Sequence, residues 1–186
     1  LRLPLFPRAS MASTMAMLPA WGVTGVVLTS VPATLASLGH ARAGAWAVAG
    51  MILAGTLAQQ AFRAMPPLRA MRLGLPLLTL GAGLVFAGAI LGSLWLLLLG
   101  APLAGLAAYG LVYLGGLAAA TAAAPQERPR ATAGFFVIAH AGFALVPLAV
   151  GLAADVIGSA AALLTLWLFV LLASLLLLRH LARAPA

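Results

Sequence analysis

The sequence contains no cysteine, so it has no disulfide framework, no thiolate metal site and no cysteine nucleophile. Acidic residues are almost as scarce: Glu127 and Asp155 are the only two in 186 residues. They fall on opposite faces of the topology derived below, so no carboxylate pair can meet for acid–base work. There is no G-x-S-x-G, and the three histidines, His40, His140 and His180, separate to the outer side, the membrane interior and the inner tail. His40 and His180 alone are about a bilayer thickness, ~30 Å, apart. These absences argue against an intramembrane enzyme and leave no residues for a metal or a cofactor. Charge of both signs together reaches only 6%, too little to coat a water-soluble surface.

What is present is apolar. Hydrophobic residues make up 65% of the chain and the mean hydropathy is +1.17, the composition of an integral membrane protein with the lipid bilayer as its partner. The formal charge of +8 does not signal nucleic acid, because the ten basic residues are all arginines scattered in ones to threes between apolar runs. Residues 1–17, with Arg2, Arg8 and two prolines, read as a basic leading segment rather than a folded element. The first residue is Leu, which points either to extra residues ahead of Met11 or to a missing upstream portion of a longer protein. Six apolar runs follow, at 18–38, 44–62, 73–91, 94–124, 133–154 and 159–178, and 179–186 form a tail. Each is long enough to cross a hydrocarbon core of about 30 Å. The first is too long for the apolar part of a signal peptide, usually about 7–15 residues, and is read as a retained helix. The fourth exceeds a span and is expected to tilt, kink near Pro102 or project beyond the membrane.

Basic residues in short loops stay on the cytoplasmic side. With six spans, nine of the ten arginines share the side of both termini and only Arg42 lies opposite. Both termini and the Arg63–Arg72 loop are therefore expected in the cytoplasm and the protein in the plasma (inner) membrane.

Two apolar helices close alike, Gly55-x-x-x-Gln59 and Gly151-x-x-x-Asp155, which points to two related halves. Helices three and six carry nothing more polar than Thr or Ser and suit lipid. The other four carry glycines, prolines and polar side chains that belong against protein or a cavity: Gly25, Thr29 and Ala33, then Gly55 and Gln59, Tyr109 and Tyr113, His140 and Pro147. Three helices is an odd number, so the second triplet enters the membrane inverted. The expected fold is all-α, six transmembrane helices in an inverted 3+3 repeat.

This pattern resembles one six-helix half of a major facilitator superfamily transporter. That family's loop signature is similar to G-x-L-A-D-R-x-G-R-R, and Gly55, Leu57, Ala58 and Arg63 fall on it. Gln59 stands in place of its Asp, Gln60 in place of its Arg and Phe62 in place of its second Gly, as in the degenerate copy of the carboxyl half. Pro147, Gly151 and Asp155 also resemble the family's fifth-helix pattern. The resemblance runs from Trp21 onward, and the short tail favours the carboxyl half. It implies alternating-access transport of a small solute of unknown identity, with a missing amino-terminal half or a second copy as partner. The alternatives are a complete six-helix transporter acting as a homodimer, or a non-transporting scaffold.

Each polar membrane residue also has a plain structural reading. Tyr109 and Tyr113, four apart on one helical face, either bound a substrate cavity or hydrogen-bond neighbouring helices. His140, roughly 10 Å into the fifth helix, is a substrate or proton site or is satisfied by a nearby carbonyl. Thr29 is a cavity residue or part of a close-packing stripe. Gly55, Gln59 and Arg63 form a gating loop or a cap, and Gly151 with Asp155 a coupling motif or a turn in which Asp155 starts the next helix.

Overall fold

The computed structural model describes residues 3–183, all of whose regular elements are helical. Six helices are long and apolar enough to cross a membrane, consistent with a multi-pass membrane protein: α1 (Arg8–Ser37), α2 (Ala41–Ala61), α3 (Pro67–Leu91), α4 (Leu94–Ala122), α5 (Arg128–Ile157) and α6 (Ser159–Arg183). Arg2 and residues 184–186 lie outside the described part. The turns at the two ends differ in chemistry. Those after α1, α3 and α5 each hold a glycine at positive φ, Gly39 (81°), Gly92 (64°) and Gly158 (84°), where a side chain would be strained. At the arginine-rich end, α3 and α5 start with a proline in the first turn, where its missing N–H costs nothing.

Helices α1, α3, α5 and α6 extend further toward the arginine-rich end than the apolar runs, whereas α2 and α4 stop at Ala61 and Ala122, just short of theirs. Residues 3–17 are not a loose leader. Arg8–Ser10 form a 3-10 turn and Met11–Met15 a short helix continuous with Met17–Ser37, and Ser10, Ser13 and Thr14 are buried. Leu5 N–H donates to the Arg130 carbonyl at 3.0 Å and Arg130 Nε to the Leu3 carbonyl at 2.8 Å, fastening the leading segment to the start of α5. Arg130 also pairs with Glu127. Hydropathy could not show this, because Ser10, the Leu5 N–H and Arg130 are paired within the protein rather than left to water.

Two parallel crossings and one antiparallel hairpin build the bundle. α1 runs alongside α5 with Gly22 against Val146 and Gly25 against the Phe143 carbonyl and Pro147. α2 runs alongside α4 with Gly105 against the Met51 carbonyl and Gly55 against Tyr109 and the Gly105 carbonyl. In both, the missing Cβ lets backbones approach to where carbonyl and Cα–H groups touch. α3 and α4 pair antiparallel along Gly74, Gly81 and Gly88; a methyl at Gly81 would lie 2.6 Å from Ala104 N. This corrects the expectation that helix three is a plain lipid-facing helix. Its glycines recur every seven residues and form a seam, and Leu75, Leu78, Val85 and Phe86 lie in the core. α6 packs on α3 and α5 and only grazes α1. α1 is the most buried of the six helices and α5 the least.

α4 is not a regular α-helix. Leu106–Val112 form a π-helical segment between the α-helical stretches Leu94–Gly105 and Tyr113–Ala122. The Tyr113 N–H turns to the carbonyls of Ala108 and Gly110, passing over that of Tyr109. The extra length of the fourth run is thus absorbed in part by a bulge and in part by projection: Gly115 already lies against the Pro67 carbonyl at the start of α3, and α4 continues to Ala122.

Candidate functional site

The carbonyl skipped by the π segment is where the site begins. Gln59 Nε2, from α2, donates to the Tyr109 carbonyl at 2.8 Å. An open backbone acceptor inside the bundle would be costly without such a donor. Gly55, one turn before Gln59, makes room for the Tyr109 side chain by having none of its own. Gly55 and Gln59 therefore position the π segment and Tyr109. Arg63, the third member of the loop pattern, is exposed and takes part in no hydrogen bond or ion pair among the described residues.

From this joint an aromatic cluster extends across α1, α4 and α5. Trp21 stands at its centre, with ring centroids 5.9 Å from Tyr109, 5.1 Å from His140 and 6.2 Å from both Phe136 and Phe143. Tyr113 joins through Phe135 at 5.9 Å and Phe136 at 6.2 Å. Most of these pairs are edge-to-face or tilted, the arrangement the ring quadrupoles favour. His140 Nδ1 lies 2.8 Å from the Phe136 carbonyl, one turn back. That bond makes Nδ1 the donor in the neutral ring and leaves Nε2 as an acceptor on an exposed side chain. Trp21 Nε1–H is buried without a partner. The cluster thus combines interlocked, mutually tilted rings with one unpaired buried donor and, on the exposed His140, one imidazole lone pair.

The cluster lies toward the arginine-rich end of the bundle. At 1.5 Å per residue, Trp21, Tyr109 and His140 lie about 22–26 Å from the arginine-poor ends of their helices. His140 is about 18 Å into α5 rather than 10 Å, because α5 starts at Arg128.

Thr29 lies elsewhere. It faces a cleft of about 370 Å³ between α1 and α5 near the arginine-poor end, together with Ser30, Thr34, Pro147 and Gly151. Its hydroxyl donates back to the Gly25 carbonyl at 3.0 Å, a pairing internal to α1. A Cβ at Gly151 would meet nothing within 4 Å. The candidate cavity residues therefore form two groups, Tyr109, Tyr113 and His140 in one and Thr29 with Gly151 in the other. Asp155 is not a helix-start residue. It lies in the last turn of α5, before the Gly158 cap, is exposed, and makes no ion pair among the described residues.

No family model and no curated protein matches the sequence. What the site can do rests on its own geometry. Among the described residues no group of three metal-ligating side chains converges. Trp21, Phe136 and Phe143 carry no polarity that would mark them in an apolar run. Phe136, His140 and Phe143 follow one another at helical spacing and so share a face, a signal present in FFVIAHAGF. Trp21 carried no such signal, since only the α1–α5 crossing brings it there.

Proposed function

We propose that the chain is one six-helix half of a secondary transporter of the major facilitator type, moving a small solute by alternating access. The observation that carries this is the pair of parallel crossings. Exchanging α1 with α4 and α2 with α5 turns the α1–α5 crossing into the α4–α2 crossing. Gly25 over the Phe143 carbonyl then corresponds to Gly105 over the Met51 carbonyl, with Pro147 and Gly55 one turn further on. Such an exchange is what an inverted 3+3 repeat requires. In this register Gly55 corresponds to Pro147, so the two G-x-x-x-polar motifs are offset by one helical turn. The third pair is less alike: α3 is seamed to α4, whereas α6 leaves α1 nearly untouched.

In this reading both termini, the α2–α3 turn with Arg63 and the first turns of α3 with Arg69 and Arg72 are cytoplasmic, so the expected Arg63–Arg72 loop is in fact a short turn running into helix, and the α1–α5 cleft opens to the opposite side. The exposed faces of α2 and α5, with Leu53 and Leu57 on one and Leu145, Leu148 and Leu152 on the other, pack against a partner bundle. The Trp21–Tyr109–His140 cluster forms the cytoplasmic part of the path. No catalytic step is assigned to any residue. The test is uptake of a panel of small solutes by liposomes holding the purified chain alone or covalently joined to an amino-terminal half. Uptake only in the joined form is expected. Saturable uptake by the chain alone overturns the half-transporter reading in favour of a complete, dimeric transporter, and no uptake in either form favours a scaffold.

A further inference from the structure

A groove of about 790 Å³ runs between α3 and α6 on the outside of the bundle, apart from both the aromatic cluster and the α1–α5 cleft. Pro76, Leu80, Ala87 and Ile90 line one wall and Leu164, Leu171, Leu175 and Leu178 the other. The polar atoms at its base are already paired. The Thr79 and Ser174 hydroxyls are 3.1 Å apart and share a hydrogen bond, and Trp167 Nε1 donates to the Thr79 carbonyl at 3.0 Å. The base therefore offers methyl and methylene surface and no spare donor. Between Pro76 and Leu91 the groove is about 22 Å long at 1.5 Å per residue, longer than the ~15 Å depth of one leaflet.

One end of the groove is charged. Continuing the lining stripe of α3 backward by helical steps from Pro76 reaches Arg72 and Arg69, and continuing that of α6 forward from Leu175 reaches Arg179 and Arg183. Arg72 donates to the Leu181 carbonyl at 3.0 Å, which ties these two helix ends together. Among the described residues no carboxylate pairs with any of the four, since Glu127 is held by Arg130 and Asp155 lies at the opposite end of α5. A long apolar slot ending in arginines that lack a counter-charge has the chemistry of a lipid carrying a negative headgroup.

We propose that the α3–α6 groove is a specific site for an anionic phospholipid, with one acyl chain along Trp167 and the headgroup phosphate at Arg72 and Arg179. The site is independent of whether the chain transports anything. Trp167, on the groove wall, reports on it. The full-length chain with Trp21, Trp46 and Trp95 changed to Phe is placed in phosphatidylcholine vesicles with increasing fractions of phosphatidylglycerol or phosphatidylcholine brominated on the acyl chain. Half-maximal quenching of Trp167 is expected at a several-fold lower fraction of the brominated phosphatidylglycerol. Arg72→Gln and Arg179→Gln should each raise that fraction about fivefold. Ala87→Phe, which fills the groove, should weaken quenching by both lipids.

Equal quenching by the two lipids in the parent chain means bulk lipid contact only and overturns the proposal. Absence of quenching by either means that a second copy or another helix covers the groove, and overturns it too. Should the triple Trp variant lose its helical circular dichroism, the unaltered chain decides by native mass spectrometry. It must retain phosphatidylglycerol over phosphatidylcholine from an equal mixture, and lose that preference with Arg179→Gln.

Discussion

The Gln59–Tyr109 bond supports a direct test of how α4 is held in its π form. Gln59→Leu removes the donor from a carbonyl that has already lost its own helical partner. A buried, unpaired acceptor costs about 1–3 kcal/mol. Interhelical side-chain bonds in membrane proteins average about 0.6 kcal/mol and reach about 1.7. The Tyr113 N–H, the regular partner of this carbonyl, is turned to Ala108 and Gly110, so the upper part of that range applies and the expected loss is about 1.5 kcal/mol. The assay is reversible unfolding in mixed detergent, followed by helical circular dichroism, with Thr56→Val as control. The Thr56 hydroxyl is exposed and donates only to its own helix, so this change should cost little. Deletion of Leu106 takes one residue out of the bulge and lets the segment return to i→i+4 pairing, which gives the Tyr109 carbonyl a backbone partner. In that background Gln59→Leu should be nearly neutral. Equal stability of Gln59→Leu and Thr56→Val in the parent chain, or an undiminished loss in the deletion background, would refute the link between the glutamine and the bulge.

Three further outcomes follow from the packing. Gly105→Ala pushes a methyl onto the Met51 carbonyl and should cost more than about 2 kcal/mol, whereas Gly151→Ala meets open space and should gain up to about 1 kcal/mol from helix propensity; unfolding midpoints of the two variants should move in opposite directions. Thr79→Val and Ser174→Ala break one shared bond, so each should cost about 0.6 kcal/mol and the double variant little more than either, as read in a double-mutant cycle. With no native cysteine, Ser93→Cys should react with an impermeant thiol reagent from outside and Ala64→Cys only from inside; the reverse pattern would invert the topology.

Length and polarity were enough to mark six helices that could cross a membrane, because apolar runs of about 20 residues have few other homes. They also located the turns. Gly92 and Gly158 close α3 and α5, and Gly39 lies in the turn after α1. Gln59 was noticed because an amide is expensive in lipid, but its partner is a backbone carbonyl, and no side-chain pattern advertises a free carbonyl. The seam of Gly74, Gly81 and Gly88 was legible as a seven-residue repeat, yet reading α3 by its polarity alone hid it, since glycine is neither polar nor bulky enough to weigh in such a scale.

Some features belong to the tertiary structure alone. The π segment sits where Gln59 of α2 reaches the Tyr109 carbonyl, a contact that only the packing of α2 on α4 defines. The pairing of Trp21 with His140, and the separation of Thr29 from Tyr109, depend on which helices run side by side and at what height. By itself the sequence determined a chain of six apolar runs, each long enough to cross a membrane, with most of its arginines between them at one end, because transfer free energies add along the chain whatever the fold. The tertiary structure decided which carbonyl is left open, which rings meet and where a groove remains, because those depend on distances between residues far apart in the chain.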